Sequence, residues 1–114
     1  MSNLAAGQGA MVAFTTVSSS DDARKLVTAL VEENLVACGN IVGPVTSVYR
    51  WKGQLCNDPE FLIVMKTHRE RLAQLADRLK SLHGYECPEL VALPVEAGYT
   101  GYLEWLAQGT GVAR

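Results

Sequence analysis

Cysteine and histidine are scarce in this chain, and neither is paired at a useful spacing. Its 114 residues hold three cysteines and two histidines. Cys38, Cys56 and Cys87 stand far apart, an odd count that argues against a disulfide framework and for a reducing compartment. No CxxC or HxxxH pair occurs, which excludes the usual closed zinc patterns. Excess charge is also missing. A formal net charge of −2, with both signs scattered, leaves no footprint for nucleic acid or an anionic membrane. There is no P-loop, no GxSxG and no HExxH, so no dedicated active site is visible and no enzymatic activity is expected. Residues 1–10 are small and polar without a basic stretch leading into an apolar run, so a loose tail is expected there. The cytoplasm is the expected compartment.

What is present is an alternation of strand and helix patterns in one domain, over residues 11–108, with a second short tail at 109–114. Met11 to Val17 is β-rich. Ser18, Ser19 and Ser20 then supply N-cap oxygens, with Asp21 and Asp22 in the first turn. Ala23, Leu26, Val27, Leu30, Val31 and Leu35 follow at helical spacing. Val36–Val42 and Val45–Trp51 read as strand interrupted at Gly43-Pro44, where a bulge or bend is expected. Lys52-Gly53 signals a hairpin turn into a strand over Glu60–Lys66, with Asn57-Asp58-Pro59 in the connection. Thr67-His68-Arg69-Glu70 fits a capping box ahead of Leu72, Leu75, Ala76, Leu79 and Leu82, and Gly84 stands where a C′ glycine belongs. Leu90–Val95 gives another strand, and Tyr99–Ala107 a short helix.

That order predicts an α+β, ferredoxin-like βαββαβ two-layer sandwich with a short C-terminal helix. Phe61–Met65 and Leu90–Leu93 are apolar without alternation, which implies cover on both faces of the sheet. Two helices cover one face. A homo-oligomer with sheets packed inward is therefore expected.

Leu82-His83-Gly84-Tyr85-Glu86-Cys87-Pro88-Glu89-Leu90 carries the most chemistry. His83, Cys87 and Glu89 are competent ligands for a borderline or soft divalent ion, which points to a shallow copper or zinc site. The competing role for His83 is a cationic cap on the preceding helix, and the two exclude each other because ligation needs neutral imidazole. Tyr49, Trp51 and Lys66 mark the ends of the hairpin. Lys66 suits either an anion clamp beside a helix N-terminus or an ion pair with Glu60 or Glu89. Cys38 reads as a small buried hydrophobe, and Glu86 with Glu89 lacks the cleft that an acid–base pair needs.

In order and spacing, these segments resemble the CutA divalent-cation tolerance family. The resemblance rests on Thr15-Thr16, Leu35–Ile41, Ser47–Gly53, Lys66-Thr67, His83–Leu90, Ala92–Val95 and Tyr102–Leu106. It implies a tight cytoplasmic homotrimer, similar in architecture to PII-type proteins, that acts in tolerance of copper and other divalent ions without enzymatic activity. It also places Tyr49, Trp51, Lys66, Tyr85 and Glu86 at intersubunit clefts. Gly84 departs from the family's usual proline, Leu82 stands where some members carry a first histidine, and Thr15 where some carry a cysteine. No cofactor is required; copper or zinc is the ion that the connector would suit. Two rival expectations are a PII-like regulator that binds a small anionic metabolite through Lys66 and Arg50, and an interaction scaffold without a ligand.

Overall fold

The computed structural model describes residues 3–112. Its main sheet has the order β3 (Cys38–Trp51), β4 (Gln54–His68), β2 (Ala10–Val17), β5 (Val91–Pro94), with every neighbouring pair antiparallel. Strand β2 (Ala10–Val17) leads into helix α1 (Ser20–Glu32). The Ser19 Oγ accepts from the Asp22 amide at 3.0 Å, so the N-cap read from the serine run is in place. Ala23, Leu26 and Leu30 turn inward, whereas Val31 is exposed. Strands β3 (Cys38–Trp51) and β4 (Gln54–His68) form a long hairpin, closed by Lys52 and Gly53 at φ +49° and +79°. Positive φ at both positions is the geometry of a two-residue turn that follows the twist of its strands. The expected irregularity falls between Val42 and Val45, where the register shifts.

Strand β4 begins earlier than its sequence suggests. Asn57, Asp58 and Pro59 lie inside it, opposite Val48, Ser47 and Thr46, rather than in a connection. Pairing of β4 with β2 starts only at Phe61, so Pro59 sits where β4 has a strand neighbour on one side. A missing amide is tolerated there.

Helix α2 (Leu72–Leu82) follows a single 3-10 turn over Arg69–Arg71. The expected capping box is not formed. The Thr67 hydroxyl is buried and donates to the Leu35 carbonyl at 2.7 Å, while His68 Nδ1 accepts from the Glu70 amide. At the other end His83 is extended, and a side chain at Gly84 would meet nothing within 4 Å. Gly84 is not among the glycines at positive φ, so it is not a left-handed C′ glycine.

The described residues near both chain ends belong to the fold, which composition does not imply. Strand β1 (Leu4–Ala6) pairs with β6 (Ala97–Tyr99), so the tail expected over 1–10 is built into the fold from Leu4 onward; residues 1 and 2 lie outside the described residues. Glycine is required at the joint. A side chain on Gly7 would lie 1.7 Å from the Val95 carbonyl oxygen, and Gly9 has φ +97° against the His68 ring. Helix α3 (Thr100–Gly109) packs Leu106 against Ala10 and Ala37. Beyond it, Thr110 and Val112 are buried, and Arg71 donates to the Thr110 and Gly111 carbonyls at 2.6 and 3.2 Å. The expected tail at 109–114 is thus packed as far as Val112; residues 113 and 114 lie outside the described residues.

Helices α1 and α2 cover one face of the main sheet. Leu26, Leu30, Leu75 and Leu79 pack there with Ala13, Val17, Ile63 and Met65. The opposite face is different. Register places Val12, Phe14, Leu62, Val64, Val91 and Leu93 on it together, and Val91 and Leu93 are 53% and 59% exposed. The apolar runs over Phe61–Met65 and Leu90–Leu93 therefore serve two faces, of which the subunit's own α1 and α2 cover one.

Candidate functional site

The hairpin arm and the connector after α2 enclose an open cleft of about 890 Å³. Its walls come from Tyr49 and Trp51 of β3, Asp58 and Glu60 of β4, and Tyr85, Glu86, Cys87 and Glu89 of the connector. The connector is pinned by His83. The Tyr85 amide donates to His83 Nδ1 at 3.0 Å, and Nε2 lies 2.8 Å from the Thr16 carbonyl oxygen. A carbonyl accepts only, so Nε2 carries the proton and the ring is held as one neutral tautomer. Lys80 adds a bond to the Glu86 carbonyl at 2.7 Å.

Two phenol–carboxylate pairs form the floor. Tyr49 donates to Asp58, and Tyr85 to the buried Glu60, both at 2.6 Å. The Asp58 bond, with some burial, pushes the Tyr49 phenol up to about 12. Burial first, and the Glu60 bond second, raise Tyr85 further. A phenol whose folded value lies above its unfolded one stabilises the fold fully below about pH 10. That contribution is lost as pH rises through the folded value. In Asp58→Asn the Tyr49 phenolate absorbance is expected to appear at lower pH than in the parent chain. A spectrophotometric titration checks this against a Tyr49→Phe control.

The sequence-derived candidates divide. Tyr49, Trp51, Tyr85, Glu86, Cys87 and Glu89 share the cleft. Lys66 does not: it donates to Asn40 in the middle of the sheet, and makes no ion pair with Glu60 or Glu89. His83 faces an adjoining hollow with Ser18, Asp22 and Lys25. Both its nitrogens are committed to backbone, so no lone pair remains for an ion in this arrangement. Among the described residues no three His, Cys, Asp or Glu side chains are grouped to hold a metal. Within one chain, His83, Cys87 and Glu89 thus do not form a three-ligand set for copper or zinc. Nor does His83 cap α2 as a cation, since it is fixed by Thr16 and Tyr85. Cys38 is half-buried, with the Tyr102 hydroxyl 3.7 Å from its sulfur.

Asp58 and Glu60 join the cleft although sequence reasoning does not place them there. The signal for them is the two-residue turn: extended outward from Lys52-Gly53, it sets Tyr49 opposite Cys56 and diagonal to Asp58.

A family model described as CutA1 divalent ion tolerance protein matches residues 11–109. The chain belongs to this family. The divalent-cation tolerance protein CutA of Thermus thermophilus is 47% identical over 100 residues, covering 88% of this chain and 97% of that protein. The chloroplastic CutA of Arabidopsis thaliana is 39% identical over 88% of this chain, which spans 55% of that longer protein. The CutA structure from Synechococcus elongatus superposes with a TM-score of 0.90 at 35% identity, covering 96% of each chain. A second structure of that Synechococcus CutA is described as complexed with a Bis-Tris molecule. No helix among the described residues is long and apolar enough to cross a membrane.

Proposed function

We propose that this CutA chain works as a homotrimeric, non-catalytic binding protein in divalent-cation tolerance. Each cleft takes a positively charged ligand. The four main strands with α1 and α2 form the ferredoxin-like unit, and the apolar sheet face is the surface on which three copies meet. The cytoplasm remains the proposed compartment.

The charge of the cleft carries the ligand reading. Asp58, Glu60, Glu86 and Glu89 line it, and among the described residues its lining includes no Lys or Arg. Anionic metabolites would meet four carboxylates, of which among the described residues only Glu86 has a cation, Lys52, in ion-pair reach; this opposes the PII-like reading built on Lys66 and Arg50. A cation meets a favourable field. The committed nitrogens of His83 speak against an imidazole-centred copper site as the basis of metal tolerance.

Calorimetry tests this in two arms. Copper titrated into the parent chain and into His83→Ala is expected to give the same binding isotherm. A site lost with His83 would restore the imidazole-centred reading. Nucleotides and organic acids are expected to leave the melting temperature unchanged. A saturable rise with any of them contradicts the cation-binding reading of the cleft.

A further inference from the structure

An ammonium group of the chain's own stands beside the cleft, outside its lining, on two of the residues that form its walls. Lys52, at the tip of the hairpin, places its Nζ 5.7 Å from the centre of the Trp51 ring and 3.6 Å from a Glu86 oxygen. An indole face and a carboxylate together make a good seat for an alkylammonium. Farther in, Tyr49 and Tyr85 add aromatic surface, and Asp58 and Glu60 each take one phenol proton in a hydrogen bond.

No Lys or Arg among the described residues forms an ion pair with Asp58, Glu60 or Glu89. Glu60 is only 8% exposed, so its charge sits in the floor of the cleft, poorly screened by water. One of the four carboxylates is thus matched by Lys52, and three are not. Converging oxygens for a metal ion are absent among the described residues. Spaced carboxylates between aromatic walls suit a different cation: several ammonium groups joined by apolar methylenes.

We infer that the cleft binds an aliphatic polyamine. Its methylenes lie along Tyr49, Trp51 and Tyr85, and its ammonium groups meet Asp58, Glu60 and Glu89. This rests on the reading of the cleft as a cation site, and narrows that site to one ligand class. The volume of about 890 Å³ falls within the range of small-molecule sites, roughly 300–1,000 Å³.

Trp51 reports on occupancy once Trp105, the second tryptophan, is replaced in a Trp105→Phe background. Spermidine at physiological ionic strength is expected to change Trp51 fluorescence saturably. In Glu60→Gln, an isosteric change, the affinity is expected to fall roughly tenfold or more, as for loss of a charge-assisted contact. Circular dichroism confirms that each variant is folded. A flat spermidine titration overturns the polyamine assignment, as does a response that Glu60→Gln leaves intact. An equal response to magnesium also overturns it while leaving a cation cleft in place. A response to citrate or a nucleotide, with none to spermidine, removes the cation reading itself.

Discussion

Replacing Val64 with glutamate is expected to dissociate the proposed homotrimer into folded single subunits. Val64 lies on the central strand β4, paired with Phe14 and Asn40 on the sheet face away from the helices. It takes no part in the core formed by Leu26, Leu30, Leu75 and Leu79, so the subunit keeps its own packing. On the apolar face, however, each copy would bring a carboxylate into the contact. An unpaired charge buried in such a surface costs several kcal/mol, and the symmetry repeats the cost in every copy. Light scattering across a dilution series is expected to show a subunit-sized particle for the variant. Its far-ultraviolet circular dichroism should match the parent. An undiminished particle size would mean that this face is not the contact.

One residue earlier, the expected result is the reverse. Ile63 is fully buried in the core between sheet and helices, which it shares with Ala13, Met65 and Leu79. Ile63→Ala removes methyl and methylene groups and leaves a cavity between sheet and helices, a change that typically costs about 2–5 kcal/mol. Chemical denaturation at fixed protein concentration measures it; the concentration must be held because assembly adds to apparent stability. At concentrations that keep the variant folded, its particle size should equal that of the parent. Adjacent positions on one strand therefore separate folding from assembly, because successive side chains point to opposite faces.

That two-faced strand is legible in the amino-acid pattern alone. Phe61–Met65 shows no polar alternation, and the fold explains why: Ile63 and Met65 serve the helices while Leu62 and Val64 serve the other face. Helix α1 is equally clear, since the Ser19 cap and the inward Ala23, Leu26 and Leu30 follow from local chemistry. The capping box at Thr67 misleads because a local motif competes with a distant demand. The Leu35 carbonyl, far away in sequence, needs a donor inside the core and takes the Thr67 hydroxyl. Strands β1 and β6 are hidden for a related reason. Three-residue strands carry no period, and their pairing depends on the Gly7–Gly9 turn bringing the chain back against Glu96.

The site is half legible. Tyr49, Trp51, Tyr85 and Glu86 stand out as one group, and the cleft unites them. Asp58 and Glu60 are not placed in the cleft from sequence because Pro59 between them reads as a strand breaker. In the fold it lies in a stretch of β4 with one strand neighbour. His83 invites reading as a ligand, since a sequence shows an imidazole but not the Thr16 carbonyl and Tyr85 amide that occupy its nitrogens.

Multi-angle light scattering of the unaltered chain at micromolar concentration is the most direct test of the shared-sheet architecture. A single species of three times 12.3 kDa is the mass expected if copies cover one another's apolar sheet face. A stable species of one chain, with Val91 and Leu93 left in water, would contradict it.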